Sequence, residues 1–380
     1  MRTCRAWGAL ALLVSLLAVA AGSVAGADAT ANLACATQVV ATWTLPQIAN
    51  ETIVVPVNAT NIGSMGPAAR AGYGGLLLLG TTAPPTLTAI LGTLQRERPG
   101  RFTMMVMTDE EGGGVLRLTN LVSPFPWAQV MGRDATVARI GSIARRVGTQ
   151  LASAGVNTDL GPVLDVDGRA AYPGSANPDG FRSFSGVPAV AAADGTAFMQ
   201  GLMRANVTSV VKHFPGLGYS TRNTDYGPAA TLAWSTLQST GLVPFRQAIA
   251  DGATAVMLSN ARVPGLSSLP SSISPAVINV LRQTLGFRGL IVTDSLSAGA
   301  ISALHLAEPA AAVRALAAGA DLILFGSPSS PSSSLARAGQ ISSAIVAAVN
   351  GGTLAQSTLV DAAAQVLAAR NTVPCPTPAG

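Results

Sequence analysis

The stretch VTSVVKHFPGLG, residues 207–218, decides the fold. Its first half is a short apolar run without strict polar alternation, as in a strand covered on both faces. The run ends at Lys212 and His213 and passes into a Pro-Gly loop. Lys212 is the only lysine of the chain and His213 is one of two histidines, so rare residue types are concentrated at one strand end.

Working outward, seven further runs have the same character. They are IVVPVNA (53–59), GLLLLG (75–80), FTMMVMTD (102–109), TDLGPVLDV (158–166), TAVMLSN (254–260), GLIVTDS (289–295) and DLILFG (321–326). Helical segments separate them, among them 137–154, 189–205, 242–251, 275–285 and 307–318, and two more over 334–350 and 356–369 close the chain. Eight strands with intervening helices predict a single-domain α/β fold, a (β/α)8 barrel. A doubly wound open sheet is the alternative. The Ser- and Pro-rich stretch 327–334 reads as the loop after the eighth strand.

The start of the chain reads as a secretory signal. Arg2 and Arg5 precede an apolar stretch over 6–21, and Ala25-Gly26-Ala27 resembles a cleavage site. An uncleaved anchor is the alternative, although the stretch is short for a membrane span. The expected division is a signal peptide over 1–27, a lead-in over 28–52, the barrel over 53–372 and a tail over 373–380. Cleavage removes Cys4 and leaves Cys35 and Cys375, one near each end. In an oxidising compartment that pair predicts a disulfide closing the fold.

Composition excludes several function classes. Removal of Arg2 and Arg5 lowers the net charge from +5 to +3, there are no basic runs, and aromatic residues make up only 4 % of the chain. Nucleic acid is therefore not an expected partner. Two histidines and two remaining cysteines do not spell a metal-ligand cluster, and no nucleotide-binding fingerprint is present, so no cofactor is expected. The chain is expected to be a monomer.

In a barrel, reactive residues sit where strands reach the C-terminal face. Asp109, Asp165, Lys212 with His213, Asn260 and Asp294 occupy those positions after the third to seventh strands. In TDEEGGGVLR (108–117), Asp109 can accept two hydroxyls of one sugar or polyol. The glycines allow a sharp turn and close approach to a ligand, and Arg117 can fix a carboxylate or a hydroxyl. The acidic residues before the glycines speak against a phosphate cradle. His305, in the apparent helical setting of 301–308, reads as a packing residue.

These segments resemble, in order, the motifs of the glycoside hydrolase family 3 β-N-acetylglucosaminidases, the single-domain β-hexosaminidase type. DEEGGGVLR is similar to that family's D-Q-E-G-G-x-V-x-R. AGVNTDLGPVLDV (154–166), NPDGFRSFS (177–185), VVKHFPGLG and GLIVTDSLSAGA (289–300) match further motifs collinearly. The resemblance implies a barrel and a retaining hydrolase that releases terminal β-linked N-acetylglucosamine-type sugars from peptidoglycan fragments. It implies Asp294 as the nucleophile. It implies Asp109, Arg117, Arg182, Lys212 and His213 as ligands of the sugar whose bond is cut. A lysine offers a compact charge with rotating donors where an arginine offers a wide planar fork, which gives a reason for the single lysine.

The chain departs from the family chiefly in its acid/base loop, and at two further positions. Where the family carries an Asp-Ser-His triplet, with the histidine as acid/base, this chain has Asn223-Thr224-Asp225. Leu217 replaces the histidine of P-G-H-G, and Gly114 replaces an arginine often found after E-G-G. Two readings stand. Asp225 is itself the acid, a carboxyl group being the usual partner in glycosidases. Alternatively, the barrel binds sugar without efficient turnover. Tyr226 and Tyr219 are the next candidates for the acid.

Overall fold

The computed structural model describes residues 29–326, 329–370 and 372–376, and the expected signal segment lies outside the described residues. Strands β1 (Val54–Asn58), β2 (Gly75–Leu79), β3 (Met105–Thr108), β4 (Thr158–Asp159), β5 (Thr208–Phe214), β6 (Ala255–Leu258) and, after a small hairpin of β7 (Arg262–Val263) and β8 (Ser267–Pro270), β9 (Leu290–Val292) are present. The hairpin apart, they pair in parallel in chain order. The sheet curls until its two edges meet the segment 321–324. Leu322 bridges Val292, and Ile323 bridges Ile53. The Ile323 N–H donates to the Thr52 carbonyl at 2.8 Å, and the Val54 N–H donates to the Ile323 carbonyl at 3.1 Å. The expected eighth strand therefore closes the barrel as a short two-sided bridge, and the open-sheet alternative falls.

Side-chain alternation explains why the strands read as unbroken apolar runs. Val54, Leu77, Met105, Met107, Val210, Ala255, Met257, Leu290, Val292, Leu322 and Leu324 form one buried cluster. The residues between them, such as Val55, Leu76, Val106, Val211, Val256, Ile291 and Ile323, belong to a second and larger cluster. Odd and even positions thus serve the barrel interior and the helix-covered exterior, and both are dry. Burial stabilises each large side chain by roughly 1.5–3 kcal/mol.

Local chemistry accounts for the departures from expectation. The run 158–166 pairs only at Thr158–Asp159 and again at the Val163–Lys212 bridge. Pro162, between them, has no N–H to give a ladder. The helix expected to start at 334 starts at Pro331, so the Ser/Pro stretch is partly a helix start. Proline costs nothing in a first turn, and Ser330 caps it by accepting from the Ser333 N–H. The segment 275–285 is a single α-turn, Pro275–Asn279, followed by a π-helical turn, Val280–Thr284. His305 is not packed. The helix there ends at Ser302, and His305 lies exposed in the following turn with φ 56°.

The lead-in belongs to the same core. The helices over 29–40 and Leu45–Glu51 bury Ala36, Val40, Ile48 and Ala49. Fully buried Glu51 takes Arg98 and, at 2.6 Å, Arg370, and so fastens the lead-in to the chain's last helix region. The Cys35–Cys375 disulfide is formed, with its Cα atoms 4.5 Å apart.

Candidate active site

The alternation that builds the barrel interior also selects its reactive rim. Met105 and Met107 point inward, and Asp109 continues their parity past the end of β3. Lys212 follows Val210, and Asp294 follows Leu290 and Val292. A cavity of about 400 Å³ opens there at the C-terminal strand ends. Asp109, Arg117, Arg182, Lys212, His213, Asp225 and Asp294 all line it. A wider groove of about 960 Å³ lies at the other end of the barrel, beside Arg282, Asp321 and Gln365. It holds none of the rim residues. The alternation breaks at Lys212 and His213, where the ladder shifts register between Val211 and Phe214 and the peptide joining the two is cis. Both adjacent side chains line the cavity.

The cavity floor is a chain of ion pairs. The Lys212 Nζ lies 2.6 Å from Asp109 Oδ1 and 2.6 Å from Glu111 Oε1. Arg182 grips Glu111 in a fork, at 2.7 and 2.8 Å. Burial works against the Lys212 charge, but Asp109 and Glu111 outweigh it and hold the ammonium above its ordinary range. Glu111 is likewise opposed by burial, yet Arg182 and Lys212 bring it well below the usual carboxylate range. An ammonium has three donors, and Asp109 and Glu111 together engage it at the cavity floor.

Glycines shape the loop that supplies these acids. Gly112 and Gly113 have φ of 94° and 58°, and a Cβ on Gly113 would sit 2.0 Å from the Trp127 ring. The same ring lies 2.8 Å from where a Cβ on Gly114 would be, so a bulky residue there would displace Trp127. Glu110 folds the loop back. Its Oε1 accepts from the Arg117 and Leu118 N–H groups at 3.0 and 2.7 Å, and burial raises its pKa to about 7. The Arg117 Nε is buried with no protein partner, on a side chain that lines the cavity.

Behind His213 stands Asp165. Its Oδ2 is 2.7 Å from His213 Nδ1, and its carboxylate also accepts from the His213 and Leu217 backbone N–H groups. Asp179 reaches the same place, and one ligand atom from each of Asp165, Asp179 and His213 lies within 4.8 Å of the others. Among the described residues this is the one group with a metal-like spacing, although the sequence pattern spells no metal motif. Burial and the Arg182 charge hold His213 down to about 4.

Asp294 follows β9. Its N–H donates to the Leu258 carbonyl at 3.1 Å, and its Oδ1 accepts from the Ser295 N–H at 2.7 Å. Burial raises its pKa, His213 lowers it and Asp225 raises it. Asn260 lies outside the cavity lining. It braces the next turn instead, donating to the Ser295 carbonyl at 2.7 Å. Asp225 sits exposed on the short turn Thr224–Tyr226, whose start Asn223 caps by accepting from the Asp225 N–H at 2.9 Å. Tyr226 also lines the cavity. Tyr219 does not, and its hydroxyl accepts from the Gly168 N–H at 3.0 Å. Leu217 packs with Ala229 and Ala261 in a small apolar cluster, which gives its side chain a packing role.

Sequence reasoning missed Glu111, Glu110, Asp159 and Asp179. Glu111 stands two residues after Asp109, and two-residue spacing on a strand end was the signal available. Asp179 stands in the NPDGFRSFS stretch, but no local pattern says that it turns inward. Asp159 accepts from the Glu110 N–H at 2.9 Å, and burial pushes its carboxyl well up.

Residues 69–369 match the glycosyl hydrolase family 3 N-terminal domain. The chain belongs to glycosyl hydrolase family 3. A protein named beta-hexosaminidase LpqI, from Mycobacterium tuberculosis, is 35 % identical over 237 residues, 60 % of this chain and 59 % of its own length. An uncharacterized secreted glycosyl hydrolase of Arthroderma benhamiae is 30 % identical over 308 residues, 78 % of this chain and 84 % of that one. Among solved structures, a family 3 glycosyl hydrolase from Mycobacterium smegmatis superposes with a TM-score of 0.78 and 30 % identity. It covers 87 % of this chain and 98 % of its own. A beta-N-acetylhexosaminidase from Beutenbergia cavernae gives 0.76 and 29 %, covering 86 % and 98 %. The match with the mycobacterial hexosaminidase spans 59 % of that relative's length. The expected barrel and family are borne out.

Proposed function

We propose that this family 3 chain is an exported, retaining glycosidase that releases terminal β-linked N-acetylglucosamine-type sugars from peptidoglycan fragments. One observation carries the reading. Asp294 shares a cavity at the barrel's C-terminal face with Asp109, Arg117, Arg182, Lys212 and His213. In this reading those five bind the sugar hydroxyls, and the Asp294 carboxylate attacks the anomeric carbon. The leaving oxygen takes a proton from Asp225. Water then enters with Asp225 as base and releases the sugar with its configuration retained. The hexosaminidase names of the relatives and the signal-like start support the substrate class and export. Turnover of an activated aryl N-acetylglucosaminide and of a natural disaccharide, with and without Asp294→Ala, tests it. Equal, negligible turnover by both proteins would end it.

A second reading, sugar binding without efficient turnover, rests on the exchange at Asn223-Thr224-Asp225. Asp225 is exposed on its short turn and is not enclosed with the cavity floor. Measurable binding of N-acetylglucosamine, by wild type and Asp294→Ala alike and without turnover, would support it.

A further inference from the structure

We propose that Asp179 is a positioning residue. It carries a proton that it donates to Asp165, and Asp165 in turn holds His213 with Nδ1–H inward and Nε2 toward the cavity. The proposal rests on the reading above for the role of His213 toward sugar, but its geometry stands apart from turnover.

Asp179 is fully buried, and neither of its oxygens finds a donor in the protein. Its neighbours at this spot, within 4.8 Å, are an Asp165 oxygen and a His213 ring nitrogen. Two bare carboxylates buried so close would repel, and one must hold a proton. The hydrogen bonds say which. Asp165 already accepts from the His213 and Leu217 N–H groups and faces the His213 ring nitrogen at 2.7 Å. It is the accepting, ionised partner, so the proton resides on Asp179. Burial raises the Asp179 carboxyl well above its ordinary range and Asp165 adds to this, against Arg182 and His213.

The charged groups around His213 come from every side. Asp165 comes from the loop after β4, Asp179 and Arg182 from the loop over 177–185, Lys212 from its own strand and Asp294 from the loop after β9. With the ring neutral near neutral pH and Nδ1 engaged by Asp165, Nε2 is left as an acceptor for a hydroxyl. One short turn, Gly180–Arg182, organises both halves of the floor. Gly180 has φ 54°, and a Cβ there would meet the Ala171 carbonyl at 2.0 Å. Just before it Asp179 serves His213, and just after it Arg182 serves Glu111.

The test uses Asp179→Asn, which keeps a neutral donor of the same shape, and Asp179→Ala, which removes the donor. Imidazole nitrogen NMR reads the outcome without turnover. Only two histidines are present, and His305→Gln assigns them. Wild type and Asp179→Asn should both keep neutral Nδ1–H His213 until pH falls toward about 4. In Asp179→Ala the unshared Asp165 carboxylate should raise the His213 titration by about one unit. KM for an aryl glycoside should rise in Asp179→Ala with kcat little changed, and be restored in Asp179→Asn. A changed tautomer or a raised titration in Asp179→Asn, at unchanged melting temperature, would overturn the proposal. So would zinc binding by wild type that Asp179→Asn abolishes, since the cluster would then be a metal site. Loss of turnover with the NMR pattern intact would count against the glycosidase reading and not against this one.

Discussion

On the cavity floor Lys212 is 2 % exposed and touches two carboxylates at 2.6 Å. In the loop above it Asp225 stands in water on a single short turn, fixed by its own backbone N–H to Asn223. The Lys212, Asp109, Glu111 and Arg182 part of the floor therefore stands without a ligand, since each of its charges is matched by another. Removing one member strands its partner at low dielectric. The loop carries no such obligation. A side chain there can be exchanged at little cost to the fold while the floor stays whole. In the proposed reading, binding and proton transfer thus fall to regions with different tolerance to change.

The comparison can be broken hardest at Asp294, which belongs to the rigid rim. Asp294→Ala should reduce turnover of an aryl N-acetylglucosaminide on the order of 10⁴-fold or more, because no glycosyl-enzyme can form. A mild loss, measured by steady-state kinetics, would move the nucleophile elsewhere.

Next in size is the floor itself. Lys212→Ala leaves half-buried Asp109 and buried Glu111 without their shared cation, with Arg182 still on Glu111, and should cost about 3 kcal/mol of stability. Chemical denaturation measures it. Lys212→Arg should recover part of that stability but not sugar affinity, because a wide planar fork does not fit the corner that a compact ammonium fills.

The loop should respond in the opposite sense. Asp225→Ala should leave denaturation unchanged within about 0.5 kcal/mol, as exposed substitutions do. It should slow a natural disaccharide about 10²-fold and an activated aryl glycoside little, because only the former needs protonation. Uniform slowing of both substrates would place Asp225 outside proton transfer.

The smallest expected effect links the two regions. As the proposed nucleophile Asp294 must be ionised to attack, and its pKa is raised, so kcat/KM should climb as pH rises through a value above the ordinary carboxylate range. Burial contributes most to that rise, and Asp225 adds to it. Asp225→Asn should therefore move the acid limb downward by a fraction of a pH unit. An unmoved limb in the pH–rate profile would mean that the two groups do not sense each other.

The sequence by itself determined the barrel, because strands dry on both faces must be apolar at every position, and that is visible residue by residue. It also indicated which strand-end residues share one cavity, since Asp109, Lys212 and Asp294 continue the inward parity of the apolar residues before them. The ends of the chain were legible too, through two cysteines with few alternatives. What only the tertiary structure decided is how the charges share one space. Glu111 belongs to Lys212 and Arg182 at once, Asp179 meets Asp165, and Asn260 braces the Asp294 loop from outside the cavity. These partners are tens to about a hundred residues apart in sequence. Their meeting depends on where separate loops turn over the barrel rim, at glycines such as Gly113 and Gly180, and no local periodicity encodes that.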